Sequence, residues 1–205
     1  MNNLHLGDPV YDFLIENKKN LQLAGQVVKA WPKVRDSITR QFLGQIERSL
    51  RSKLPKDHDW KLETGDFDVF NEQWPQPIQL SKAIWHEDFL EPEPSVSRIA
   101  LEVQGRGKKA VMGVWREKEK AGAVDSKLVE AFRKIGIAGR SNQYWAIQVD
   151  LPKEVVGWRD SGVLCRMKFE SDKWAETIAE SMFAFAKTAE PIIDQLFKSK
   201  ISKTR

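Results

Sequence analysis

The sequence predicts an α+β fold: an antiparallel β-meander sheet packed by helices, with an N-terminal helical segment. Three observations predict it. Apolar residues recur every four positions towards both ends of the chain, as on amphipathic helices. Between them, short segments alternate apolar and polar residues, as half-buried strands do. The links between these strands are short, so consecutive strands should pair antiparallel. The expected organisation is an N-terminal helical segment (1–30), an α+β domain (31–198) and a basic tail (199–205).

Asp8-Pro9 reads as a helix start, with Asp as cap and Pro at the first helical position. Val10, Phe13 and Leu14 form its apolar face, and Leu21, Ala24, Val27 and Val28 continue a stripe. Trp31-Pro32 is expected to break this segment, with Pro32 opening a second helix. There Val34, Ile38, Phe42, Ile46, Leu50 and Leu54 repeat every four residues, while Lys33, Arg35, Arg40, Arg48, Arg51 and Lys53 lie outside. Pro55 stops it.

The middle of the chain changes period. Trp60 to Glu63 alternates like a short strand, as does Ile78 to Trp85. Glu91-Pro92-Glu93-Pro94 is a loop that no central strand admits. Ile99, Leu101 and Val103 mark one face of a strand from Arg98 to Gln104. Gly105 to Lys108 is a tight turn, and Val111 to Trp115 the next strand. Asp125 or Ser126 should cap a helix that buries Leu128, Val129, Phe132 and Ile135, ended by Gly136. Tyr144–Leu151 and Val163–Phe169 read as two further strands. Ser171 or Asp172 then caps a long helix. Its stripe is Trp174, Ile178, Met182, Phe185, Ala189, Ile193 and Leu196, with a kink or restart expected at Pro191.

Composition narrows the function classes. The chain has 205 residues, 41% hydrophobic and 10% aromatic, enough to fold around a core. Its single cysteine, Cys165, makes neither an internal disulfide nor a cysteine-based zinc site, which points to a cytoplasmic protein. Flanked by Leu164 and Met167, Cys165 is expected to point inward as a small hydrophobe. No apolar run reaches the roughly 20 residues of a membrane span, and Met1 to Gly7 does not read as a signal peptide. His5, His58 and His86 lie too far apart for ligand spacing, so no metal site is expected. His86-Glu87-Asp88 reads as a polar loop.

The net charge of +4 is segmental. Residues 1–56 carry 10 basic and 5 acidic side chains, residues 57–97 carry 2 and 10, residues 98–140 carry 11 and 5, and residues 141–205 carry 10 and 9. An acidic block between two basic blocks can pair within the fold or form a two-sided surface for charged partners.

Candidate chemistry follows from these blocks. Gly105-Arg106-Gly107-Lys108-Lys109 is glycine-rich and basic. Glu102 stands where a Walker loop needs Gly, and Lys109 where it needs Ser or Thr. The segment reads as a basic hairpin tip able to touch a phosphate or an acidic protein. Asp66, Asp68 and Glu102 are the carboxylates available to a Mg²⁺-dependent nuclease, Mg²⁺ being a cofactor in that reading alone. Glu102-Val103-Gln104 has the carboxylate-x-polar form of some restriction-type sites, with Gln104 in place of the usual Lys. Alternation puts Glu102 and Gln104 on the solvent side of their strand. Of the eight tryptophans, six are expected to plug or cover the core. Trp74 and Trp158, read as loop residues, are the candidates for stacking on a base.

The Trp31–Arg35 stretch leading the basic helix, the paired strands Ile99–Val103 and Val111–Trp115, the helix Leu128–Ile135 and the closing helix with Ala189–Asp194 carry a resemblance over about residues 30–198. The chain resembles the C-terminal accessory domain of bacterial PD-(D/E)XK nuclease-family proteins. The resemblance implies an accessory or recognition role in DNA defence or mobile-element biology, without catalysis of its own.

The function expected from these readings is a non-enzymatic binding domain of bacterial or phage type, without cofactor. It engages nucleic acid or a protein partner through Arg35, Arg40, Arg48, Arg51, Arg106, Lys108, Lys109 and Trp158. A divergent nuclease using Asp66, Asp68, Glu102 and Gln104 is the first alternative. A phage-type inhibitor presenting the acidic block to a DNA-binding protein, through Asp66, Asp68, Glu72, Glu87, Asp88, Glu91 and Glu93, is the second. The stripe Leu21–Val28 admits a homodimer.

Overall fold

The computed structural model describes residues 9–56, 59–65, 68–85, 97–116, 123–142 and 144–201. The chain order is α1 (Pro9–Ile15), α2 (Lys18–Lys53), β1 (Trp60–Thr64), β2 (Ile78–Lys82), β3 (Ser97–Gln104), β4 (Lys109–Arg116), α3 (Ala123–Lys134), β5 (Trp145–Asp150), α4 (Ser161–Phe169) and α5 (Ser171–Ile201). The five strands form one antiparallel sheet in simple sequence order, β1-β2-β3-β4-β5. The fold is α+β, as the alternating and fourfold patterns require. The Asp8 cap, the loop Glu91–Pro94 and His86-Glu87-Asp88 lie outside the described residues.

The helices cover one face of the sheet. Ile99, Leu101 and Val103 of β3 and Ala110, Met112 and Val114 of β4 share a core with Phe42, Ile46 and Leu50 of α2 and with Ile178, Met182 and Ala186 of α5. Helices α2 and α5 run parallel at a constant sequence offset: Gln45 bonds Asp172, Ser49 bonds Glu176, and Lys53 pairs with Glu180, while Lys168 at the end of α4 bonds Gln41 at the same offset. Each rung is one helical turn from the last, since residues four apart share a face. At the far end Lys82, buried at the end of β2, pairs with Glu190 and Asp194 of α5, both at 2.9 Å. The indole of Trp85 donates to the same Asp194 at 2.7 Å.

Among the described residues, the other face of the sheet carries no helix of the core. Ala100, Val111 and Trp145 form a separate small cluster there, with Trp115 against it. Two local devices shape this face. A bulge between Val114 and Trp115 pairs Val114 with Ile147 but Trp115 with Trp145, leaving Ala146 as the extra residue. Strict alternation would put Trp145 on the core face with Ile147 and Val149. The bulge turns it to the open face, beside Trp115. Gly113 provides the second device: a Cβ there would lie 2.0 Å from the Ile147 carbonyl oxygen, so only glycine lets β5 approach this closely.

Several elements differ from the sequence-based expectation. The segment 163–169 is helix α4, not a strand. Asp160 caps it by accepting from the Gly162 and Val163 amides, and Val163, Leu164 and Met167 are buried at helical spacing. Cys165, on the other side of that helix, is exposed and does not point inward. Helix α2 runs through Pro32, because Val28, whose carbonyl loses its N–H partner, is exposed and meets water. Pro191, exposed on α5, likewise leaves that helix unbroken. Ile135, expected in the core, is exposed because α3 ends at Lys134 and Gly136 turns the chain at φ +76°.

Candidate binding pocket on the open sheet face

The open face of β3 presents Arg98, Ala100, Glu102 and Gln104 in alternation with the core residues. Glu102 is only 4% exposed. It lies in a cavity of about 530 Å³ lined by Trp74, Gln76, Glu102, Gln104, Trp115, Asn142, Tyr144 and Trp145. Four aromatic side chains therefore surround one carboxylate. Trp74 and Gln76 come from the loop before β2, Trp115 from β4, and Asn142 and Tyr144 from the turn that leads into β5. Asn142 shapes that turn: its side-chain oxygen accepts from the Tyr144 and Trp145 amides.

Neutral groups hold the Glu102 carboxylate. Gln104 donates to Oε1 at 2.8 Å, and Gln76 donates to Oε2 at 3.2 Å. The Trp145 indole lines the same cavity. Among the described residues no cation pairs with the carboxylate. Burial pushes the Glu102 carboxyl up from its ordinary value, and its contacts with Gln104, Gln76 and Trp145 offset this in part. Arg98, two strand rows away, stacks its guanidinium 4.4 Å from the Trp115 ring centre and lines a neighbouring groove with Gln76 and Gln79.

Asp68 and Glu102, two of the residues expected to carry nuclease chemistry, each have their own hydrogen-bond partners. Asp68 closes a local turn, accepting from the Phe70 and Asn71 amides at 3.2 and 3.0 Å and from the Asn71 side chain at 2.6 Å. Burial raises the Asp68 carboxyl, but these hydrogen bonds outweigh it and hold it below its ordinary value. Glu102 is not on the solvent side as alternation implied; the loop 74–76 and Trp145 cover it. Gln104 serves Glu102 directly. Among the described residues no cluster of three or more His, Cys, Asp or Glu could hold a metal ion. Asp66 lies outside those residues, as do Glu87, Asp88, Glu91 and Glu93 of the acidic block. Glu72 accepts from the Asp68 amide at 2.9 Å.

The expected basic binding residues are largely engaged locally. The guanidinium of Arg35 sits 3.8 Å from the Phe70 ring centre. Arg40 pairs with Asp36 at 2.9 Å, Arg51 with Glu47 at 2.8 Å and Lys109 with Asp150 at 2.7 Å. Arg48, Arg106 and Lys108 are exposed. The hairpin that carries Arg106 and Lys108 is nevertheless packed and not a free tip. Gly107 is buried with φ +88°, where a Cβ would strike the Phe70 ring at 2.8 Å, and its carbonyl accepts from the Arg159 amide. Trp158 is corrected outright. It is fully buried, edge-on to Phe42 with ring centres 6.1 Å apart, and donates to the Val155 carbonyl at 2.9 Å. A base cannot stack on it.

Trp74 is 56% exposed and lines the pocket, in keeping with its expected place in a loop. Gln76, Asn142, Tyr144 and Trp145 had no signal in the sequence, since two loops and a bulge bring them together. Leu21, Val27 and Val28, the stripe expected to bury against a second copy, are exposed on this chain. Among the described residues no helix is long and apolar enough to cross a membrane. Comparison with protein-family models, curated proteins and solved structures gave no match to this chain.

Proposed function

We propose that this chain is a non-enzymatic binding domain that holds a group of its partner in the aromatic pocket around Glu102. One observation carries the reading: a carboxylate only 4% exposed, without a cationic partner among the described residues, in a cavity otherwise walled by aromatic rings and amides. Burying an ionisable group costs several kcal/mol unless it is paired, so an apolar side chain at this position would be cheaper for the fold. Such a group in a cleft marks a site where charge is used. The volume, about 530 Å³, falls within the range of ligand sites. Among the described residues lining the pocket, no His, Lys or second carboxylate stands beside Glu102 to form an acid–base pair, which favours recognition over acid–base chemistry.

A titration read at the indole N–H resonances of Trp74, Trp115 and Trp145 tests this. The panel comprises alkylamines, nucleosides, sugars, and single-stranded and duplex DNA. Shifts confined to these indoles support the pocket. The reading is lost if no member moves them. It is also lost if DNA binds with a steep salt slope that Arg48→Ala and Arg106→Ala remove and Trp74→Ala leaves intact.

A further inference from the structure

A second surface, independent of the pocket, lies on the N-terminal half of α2. The buried residues of that helix begin only at Thr39. Among the described residues, its hydrogen bonds to α4 and α5 begin at Gln41 and Gln45. Residues 18–34 therefore form an arm of about 25 Å that leads away from the core. Leu21, Ala24, Val27, Trp31 and Val34 recur every three or four residues, on the helix face that Ile38 and Phe42 carry into the core. Leu21, Val27, Trp31 and Val34 are exposed, and so are Val10 and Phe13 of α1. Most of the large apolar side chains exposed among the described residues lie between Val10 and Val34. Helices in proteins owe most of their stability to the packing of such a face. The apolar stripe of α2 thus outruns its cover. We infer that two copies of this chain pair through these arms, side by side and antiparallel.

Charge selects both the occupant and its direction. The tip of the arm, residues 9–17, carries Asp12 and Glu16 and no basic side chain. From there to Arg35 the arm carries Lys18, Lys19, Lys29, Lys33 and Arg35 and no acidic one. Among the described residues, neither Asp12 nor any of the four lysines forms an ion pair. Antiparallel arms lay the acidic tip of each copy on the basic base of the other, with Asp12 and Glu16 beside Lys29 and Lys33. Parallel arms set tip on tip and base on base, and like charges brought together cost free energy. The arm is therefore complementary to itself in one direction only, as a two-fold interface requires. A polyanion such as a nucleic acid fits the lysines, but neither the apolar stripe nor the acidic tip.

The test uses the full chain. Sedimentation velocity from micromolar to near-millimolar concentration should show a monomer–dimer equilibrium. Val27→Lys puts a charge on the exposed stripe, away from the core, and should weaken the dimer by about thirty-fold or more. Lys29→Glu combined with Lys33→Glu should weaken it about five-fold, and adding Asp12→Lys should recover part of that loss. Phe169→Lys, at an exposed apolar position outside the arm, should change nothing. Direction is read by disulfide trapping in Cys165→Ser chains, which lack the native cysteine. Val10→Cys stands at the tip and Ala30→Cys at the base, both exposed in the native chain. A mixture of these two variants is expected to cross-link, and each variant alone is not. If each alone cross-links, the arms are parallel and the antiparallel pairing is overturned. If the chain sediments as a monomer throughout, no second copy covers the arm and the inference falls. It falls equally if Phe169→Lys dissolves the dimer and Val27→Lys leaves it intact.

Discussion

The Gln104 side-chain amide donates a 2.8 Å hydrogen bond to the carboxylate of Glu102, two residues earlier on the same face of β3. A lysine in that position would neutralise the carboxylate. The amide solvates it and leaves its charge standing. The pocket on the open face of the sheet follows from this relationship.

Glu102 should therefore lower stability as pH rises. Burial sets its folded-state value above the ordinary carboxylate value of 4.5. Between the two values the folded chain holds more protons than the unfolded one, so stability falls as pH rises through that window and then levels. Glu102→Gln does not titrate. Urea unfolding at a series of pH values should show wild type losing stability relative to the variant across this window. Parallel curves would contradict the assignment.

Gly113 sets how closely β5 approaches β4. Gly113→Ala puts a methyl 2.0 Å from the Ile147 carbonyl oxygen, a backbone atom that no rotamer change can move. The expected cost is about 3 kcal/mol by chemical denaturation. Because Trp145 hangs on the bulge beside this contact, its indole resonance should shift in the same variant.

Two tryptophans separate core from pocket. Trp158 is fully buried against Phe42, whereas Trp74 is 56% exposed on the pocket rim. Trp158→Ala should cost about 4 kcal/mol, and Trp74→Ala should stay within about 0.5 kcal/mol. Equal losses would mean that Trp74 belongs to the core.

Lys82 ties the sheet to the far end of α5. Its side chain is 10% exposed and meets Glu190 and Asp194 at 2.9 Å. Lys82→Ala leaves two carboxylates facing each other across a largely buried gap, at a cost of about 3 kcal/mol. Burial raises the Glu190 carboxyl, but hydrogen bonds from Lys82 and Lys187 outweigh it and hold the group low. Its contribution is present above the unfolded carboxylate value and is lost as pH falls through the lower folded value. The acid limb of a thermal-melting profile should thus flatten in Lys82→Ala, and an unchanged limb would remove the pair from the acid response.

The amphipathic helices and the meander were legible because their signals are local. Phe42, Ile46 and Leu50 repeat at the helical period, and Ile99, Leu101 and Val103 at the strand period, whatever they later pack against. The same signals failed where a short apolar run fits both periods. Residues 163–169 alternate well enough for a strand, yet Asp160 caps them into α4, which buries Val163, Leu164 and Met167 and exposes Cys165.

The sequence by itself determined the α+β class, the strands of the meander, the buried stripes of α2 and α5, and which residues of β3 oppose its core face. It also placed Trp74 in a loop. Tertiary structure alone decided that the face opposite the core holds a pocket. Glu102 is buried because Trp74 and Gln76 arrive from one loop, Asn142 and Tyr144 from another, and Trp145 is turned over by one extra residue in β5. Periodicity tells which way a side chain points from its own backbone. What covers it depends on contacts between segments tens of residues apart, and no local pattern encodes those.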